Sequence, residues 1–144
     1  MLLSKTCQYG VRAMIYLATD SPDKYVSVRS ISSALDISFH FLTKIFQRLT
    51  RYGLLLSYRG PNGGIKLSRP ASQITLKEVV VAIEGPELFT ECVLGLPGCG
   101  ADRPCPLHHT WTIARDDLAR MLEGETLDQI GSSTVRERLR LRHR

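Results

Sequence analysis

The sequence predicts a mostly α-helical chain with one small two-stranded hairpin, a broken cysteine-rich loop after it and a long helix beyond. Three observations carry that prediction. Apolar residues recur at i, i+3, i+4 and i+7, as at Leu42, Ile45, Phe46 and Leu49, which is one face of a helix. The turn Pro61-Asn62-Gly63-Gly64 separates two short apolar runs, the mark of a hairpin. Cys92 to His108 reads C-x6-C-x5-C-x2-H and contains Gly95, Pro97, Gly98, Gly100, Pro104 and Pro106; no helix or strand tolerates that density of Gly and Pro.

Taken in order, Ser4 to Thr19 reads as a helix. Tyr9, Ala13, Tyr16 and Leu17 fall on one face, and Met14, Ile15 and Ala18 on another. Burial on both sides is expected, with a partner subunit as a source of the second. Cys7, in its first turns, reads as a small buried residue rather than a ligand. A polar loop around Pro22 follows. Ser27 caps a short helix with Val28, Ile31 and Leu35 inward. Asp36-Ile37-Ser38 makes a tight turn, and Ser38 caps a helix that runs to about Tyr52 and stops at Gly53. Its outer face carries His40, Thr43, Lys44, Gln47, Arg48 and Arg51. Leu54–Tyr58 and Ile65–Leu67 read as strands around a basic tip at Arg59. Short helix, tight turn, longer helix and hairpin make a winged helix-turn-helix.

Thr75-Leu76-Lys77-Glu78 is a capping box for a helix with Leu76, Val79, Val80 and Ile83 inward, stopped by Gly85-Pro86. Beyond the cysteine loop, Leu107, Trp111, Ala114, Leu118 and Met121 are spaced four, three, four and three. That seam belongs to a helix that pairs with another helix; Gly124 breaks it, and Thr126 to Ile130 reads as one more turn. The organisation expected is a winged helix-turn-helix over 1–85, a cysteine-rich loop over 86–106, a long C-terminal dimerisation helix over 107–131, and a disordered basic tail over 132–144.

The chain has 144 residues, 43% of them hydrophobic, and a net charge of +5, enough apolar content for a core. Residues 1–70 carry ten Lys/Arg against three Asp/Glu, residues 71–131 four against ten, and residues 132–144 five against one. A basic end beside an acidic one points to a polyanionic partner. No apolar run reaches the roughly 18–20 residues of a spanning helix, and the N-terminus lacks a signal-peptide pattern. A cytoplasmic, membrane-free protein is expected, with its thiols reduced. GxSxG, HExxH and a phosphate loop after a strand are absent, which argues against an enzyme.

Two constellations carry chemistry. In the first, Ser38, His40 and Thr43 at the start of the longer helix are candidates for base edges in a DNA major groove. Lys44 and Arg48 suit phosphates, Arg59 suits a guanine or a narrow minor groove, and Asn62 and Gly63 let the wing backbone approach phosphate. The alternative is a winged helix that serves protein contacts, its basic face merely solvated. In the second, Cys92, Cys99 and Cys105 with His108 offer three thiolates and an imidazole. Structural zinc prefers C-x2-4-C pairs, so the wider spacing suits an iron–sulfur cluster better, with Val93, Leu94 and Leu96 as an apolar shield. Zinc and a metal-free thiol sensor stay open.

Tyr9-Gly10-Val11-Arg12-Ala13, Ile37-Ser38, Arg59-Gly60-Pro61-Asn62-Gly63-Gly64 and the three-cysteine loop ending Cys-Pro-Leu-His together resemble the IscR/NsrR family of bacterial iron–sulfur transcriptional regulators, from Leu3 to about Ile130. The resemblance implies a homodimer whose long C-terminal helices pack together, bound to double-stranded operator DNA. It implies a cluster, [2Fe-2S] in preference to [4Fe-4S], on Cys92, Cys99 and Cys105, with His108 as fourth ligand. In NsrR-like members the fourth ligand is an acidic residue near the N-terminus of the other subunit; here that place is Gln8, with Cys7 beside it. Thr43 stands where IscR-like members carry an acidic residue, and the first ligand gap is a residue longer than the commonest family spacing.

Overall fold

A computed structural model describes residues 2–142. The elements run α1 (Lys5–Asp20), α2 (Val28–Leu35), α3 (Phe39–Tyr52), β1 (Leu55–Tyr58), β2 (Gly64–Leu67), a 3-10 turn (Ala71–Gln73), α4 (Leu76–Glu84), α5 (Glu87–Thr90), α6 (His108–Gly124) and α7 (Leu127–Arg136). The fold is the expected one, mostly helical with a two-stranded antiparallel sheet.

Local chemistry sets most of the boundaries. Ser4 Oγ accepts from the Cys7 amide and opens α1; Ser27 Oγ accepts from the Ser30 amide and opens α2. Asp36 takes the left-handed conformation, φ 55°, and turns the chain into α3. Ser38 occupies the capping position of α3 but makes no side-chain cap bond, against the sequence expectation. Gly53, φ 91°, ends α3, and its amide donates to the Leu49 and Thr50 carbonyl oxygens.

The hairpin pairs Leu55 with Leu67 and Ser57 with Ile65. Leu55, Ile65 and Leu67 are buried, while Leu56 and Tyr58 face outward, the alternation of a one-sided sheet. Val26 adds an edge: its amide and carbonyl exchange bonds of 2.8 and 2.9 Å with Ile65. A Cβ at Gly64, where φ is 153°, would sit 2.1 Å from the Val26 carbonyl oxygen. Glycine there is demanded by the contact between the wing and the segment before α2.

α1 is the central helix. It packs on α2, α3 and α4 and, on its other side, on α7. The second side is therefore covered by the chain's own C-terminal helix, where the sequence reading had offered a partner subunit. Gly10 brings α1 close to α4, since a Cβ there would lie 2.2 Å from Ile83 Cδ1. The core includes Leu17, Ile31, Leu42, Leu49, Ile74, Val79 and Leu127, all essentially buried.

The C-terminal region departs from expectation in two ways. α6 ends at Gly124, and a separate ten-residue helix, α7, runs on to Arg136. The break at Gly124 falls where it was expected, but the single turn expected over Thr126 to Ile130 is a full helix, and the tail expected to be disordered from 132 begins as helix. The reason lies at Thr126, a second capping box with Gln129, which the sequence reading passed over. The two boxes meet. Leu76 N donates to Glu125 O and Leu127 N to Ile74 O, each at 2.9 Å, so α4 and α7 start from one shared bridge. The last two residues of the expected tail lie outside the described residues.

Candidate nucleic-acid interface and cysteine cluster

α3 and the wing frame a cleft of about 600 Å³ lined by Val28, Thr43, Gln47, Arg51, Ser57 and Arg59 among others. Ser38, His40 and Lys44 are exposed on α3, and Arg59 and Asn62 on the wing. Thr43 is half-buried, its hydroxyl donating to the Phe39 carbonyl oxygen at 2.8 Å. Gly63 is tied into the turn, its amide donating to Gly60 O, and a Cβ there would meet the Tyr58 carbonyl oxygen at 2.3 Å. Its glycine answers the turn's own packing rather than an approach to phosphate. Arg48 departs from its expected role: Nη1 donates to the Ile83 carbonyl oxygen at 2.6 Å. The open carbonyls at the end of α4 need donors, and Arg48 reaches them from α3. Gln47, Arg51 and Ser57 lie on the cleft where the sequence reading named none of them as contacts; the outward stripe of α3 was the signal for the first two.

The cysteine loop brings all four expected donors to one small cavity, about 60 Å³, lined by Cys92, Cys99, Cys105, His108 and Arg103 with the intervening Gly and Pro backbone. The donors fall into two pairs. Cys92 Sγ lies 3.5 Å from Cys105 Sγ, and Cys99 Sγ lies 3.7 Å from His108 Nδ1. Among the described residues no three His, Cys, Asp or Glu converge on one point as a single ion requires. Two thiolates about 2.3 Å from a common tetrahedral metal stand about 3.8 Å apart, so each close pair suits one metal of a larger group better than the set suits one ion.

The surroundings of the sulfurs agree with soft-metal chemistry. Backbone amides of Leu94, Leu96 and Gly95, with the Cys105 thiol, hold the Cys92 thiol below its usual range. Burial and the Cys92 contact push the Cys105 thiol up. Arg115, which sequence reasoning missed, reaches from α6 to Cys99 Sγ at 3.6 Å and to the Glu91 carbonyl oxygen at 3.4 Å. Its Nε is buried with no partner among the described residues, an orphaned donor beside the cavity. Soft donors, backbone amides turned on a sulfur and an orphaned N–H together fit a sulfide-bearing cluster. Cys7 lies elsewhere, fully buried in α1. Burial, with the Glu84 carboxylate beside it, pushes its thiol up to about 12. A thiol held neutral in this way is a packing residue, as the sequence reading took it to be.

Comparison with known proteins decides the family. Residues 3–133 match the family model described as Rrf2, iron-dependent transcriptional regulator. The chain belongs to the Rrf2 family. It is 35% identical over 130 residues to the HTH-type transcriptional regulator IscR of Cronobacter sakazakii, covering 90% of this chain and 80% of that one. Among solved structures it is similar to CymR of B. subtilis, the global cysteine regulator, with a TM-score of 0.77, 28% identity, and coverage of 92% of this chain and 97% of the other. It is also similar to the oxidized form of Staphylococcus aureus CymR, with a TM-score of 0.72, 27% identity, and coverage of 91% and 96%.

An IscR/NsrR-like Rrf2 regulator is therefore the family and the winged helix its fold, and such regulators act on DNA. In this Rrf2 chain the expected α6 seam is split. Leu118 packs against the chain's own core, while Trp111 is half-buried, its indole Nε1 donating to Glu91 O at 2.8 Å. Leu107 and Ala114 are exposed, as are Met121, at 57%, and Ile113, at 53%. Leu122, not in the seam, is the residue of α6 that is buried. Val93, Leu94 and Leu96, expected to shield the site, are 47, 50 and 53% exposed; within one chain they leave it open. Among the described residues no helix is long and apolar enough to cross a membrane.

Proposed function

We propose that this Rrf2 chain is a homodimeric, cytoplasmic, non-catalytic transcriptional regulator whose hold on operator DNA is governed by an iron–sulfur cluster. Cys92, Cys99, Cys105 and His108 would hold it, [2Fe-2S] in preference to [4Fe-4S]. The observation that carries this reading is the pairing of the four donors around one cavity, Cys92 with Cys105 and Cys99 with His108. Two donors on each of two irons is what a two-iron cluster takes. When bound, the cluster supplies a redox- and iron-sensitive anchor for the loop.

The chain's own residues carry that state to DNA. His108 is the first residue of α6 and Cys105 precedes it by three, the His108 amide donating to Cys105 O at 3.0 Å. Losing the donors' common anchor loosens the start of α6. Exposed Leu107, Ile113 and Met121, with Val93, Leu94 and Leu96, form an apolar surface suited to a second copy of the chain. A change at the start of α6 then alters the spacing of two α3 helices. Ser38, His40 and Thr43 meet bases, Lys44 meets phosphate, and Arg59 enters a groove beside Asn62 and Gly63.

Iron and acid-labile sulfide analysis of anaerobically purified protein tests the cluster. Both are expected in stoichiometric amount, and their absence would overturn it. A second reading is favoured by one distance: Cys92 and Cys105, 3.5 Å apart, are positioned to close a disulfide on oxidation, giving a metal-free thiol switch.

A further inference from the structure

Beyond α7 the chain folds back over the first half of α1. Arg12 ties it there: Nε donates to the Leu141 carbonyl oxygen, and Nη2 donates to the Leu35 carbonyl oxygen at 3.2 Å. Leu141 packs against the core. The result is a cleft of about 270 Å³ lined by Lys5, Gln8, Tyr9, Arg12, Arg140 and Arg142 around Leu141. Four cations and no carboxylate line it, and among the described residues none of the four is in an ion pair. Concentrating like charges opposes the compact state unless an anion is met there.

The cleft adjoins the DNA-facing helix. Tyr9 stands edge-on to Phe41 of α3, ring centres 5.5 Å apart. Phe41 in turn borders a second cleft with Thr6 of α1 and Lys44, Gln47 and Arg51 of α3. Cations thus continue from α3, across the start of α1, to the C-terminal segment.

We propose that Arg140 and Arg142, held beside Lys5 and Arg12, form a second docking surface for duplex DNA, taking backbone phosphates outside the bases read by α3 and the wing. This inference rests on the DNA-binding reading above. Guanidinium groups bind phosphate oxygens in pairs and are weakly hydrated. Phosphate contacts carry affinity and register but no sequence preference. The segment therefore adds the same increment on any duplex long enough to reach it.

The experiment titrates salt against binding of the full chain to a duplex of about 40 base pairs and mixed sequence, each phosphate contact contributing a log–log slope of about −0.9. Arg140→Gln/Arg142→Gln is expected to make the slope shallower by about 1 to 2, and Arg140→Lys/Arg142→Lys to keep it. Both side chains are exposed, and an unchanged melting temperature will separate loss of contact from loss of fold. An unchanged slope in the glutamine variant, while Lys44→Gln still makes it shallower, overturns the inference and leaves the regulator reading intact. No retention of the wild-type chain by DNA at low salt overturns both.

Discussion

The sulfur of Cys92 lies 3.5 Å from the sulfur of Cys105, although the two stand thirteen positions apart in the chain, while Cys99 pairs with His108 instead. The loop's donors are therefore not equivalent. Oxidation of metal-free protein is expected to join Cys92 to Cys105, a mass loss of about two hydrogens. Cys92→Ser or Cys105→Ser should abolish that loss and Cys99→Ser should not. Peptide mapping of the oxidised protein checks it, and a bridge that includes Cys99 would contradict it.

Under anaerobic conditions Cys99→Ala is expected to lose the visible colour and the iron of the holo protein, since one of two donor pairs is broken. Its operator affinity should then match that of the metal-free wild type. Equal affinity of holo wild type and variant in a gel-shift titration would detach the cluster from regulation.

Arg59 is exposed at the wing tip beside the α3 cleft. Arg59→Ala is expected to cost about 1–3 kcal/mol of discrimination, roughly 5- to 150-fold in specific affinity. Competition between operator and unrelated duplex measures it; an equal loss on both would make Arg59 a phosphate contact instead.

On α6, Ile113 and Met121 are the large apolar residues that stand exposed. Ile113→Asp/Met121→Asp is expected to yield monomers by sedimentation, with melting little changed and operator binding lost. A variant that still sediments as a dimer would move the interface elsewhere.

Burial holds the Cys7 proton, raising its pKa from 9.0 to about 12. Below pH 9 both folded and unfolded thiols are neutral and the packing contribution is intact. Between these values the unfolded thiol ionises and the folded one does not, so folding stability falls by about 1.4 kcal/mol per pH unit. Cys7→Ala lacks that slope. Urea unfolding at several pH values above 9 should show the wild type losing its advantage over the variant; parallel curves would mean the thiol is not held neutral.

Much of this protein was legible because its signals are local. The Thr75 box, the Gly53 stop, the Asp36 turn and the Pro-Asn-Gly-Gly wing each depend on a few adjacent residues, whose dihedral preferences and hydrogen bonds act before any tertiary contact forms. The cysteine spacing likewise singled out Cys92, Cys99, Cys105 and His108, which line one cavity. The Thr126 box was equally local and equally readable; the low apolar content beyond Gly131 hid it.

What the sequence by itself determined was the order of the main elements, the winged helix and the four residues that line the cysteine-loop cavity, because periodicity, capping and residue spacing are properties of short stretches. Only the tertiary structure decided that α7 covers the far side of α1, that Arg48 serves the end of α4, that the α6 seam is divided between the core and the exterior, and that the basic C-terminal residues gather beside Arg12. These depend on which surfaces meet across long chain separations, where burial of apolar area and satisfaction of open carbonyls choose among partners that no local pattern distinguishes.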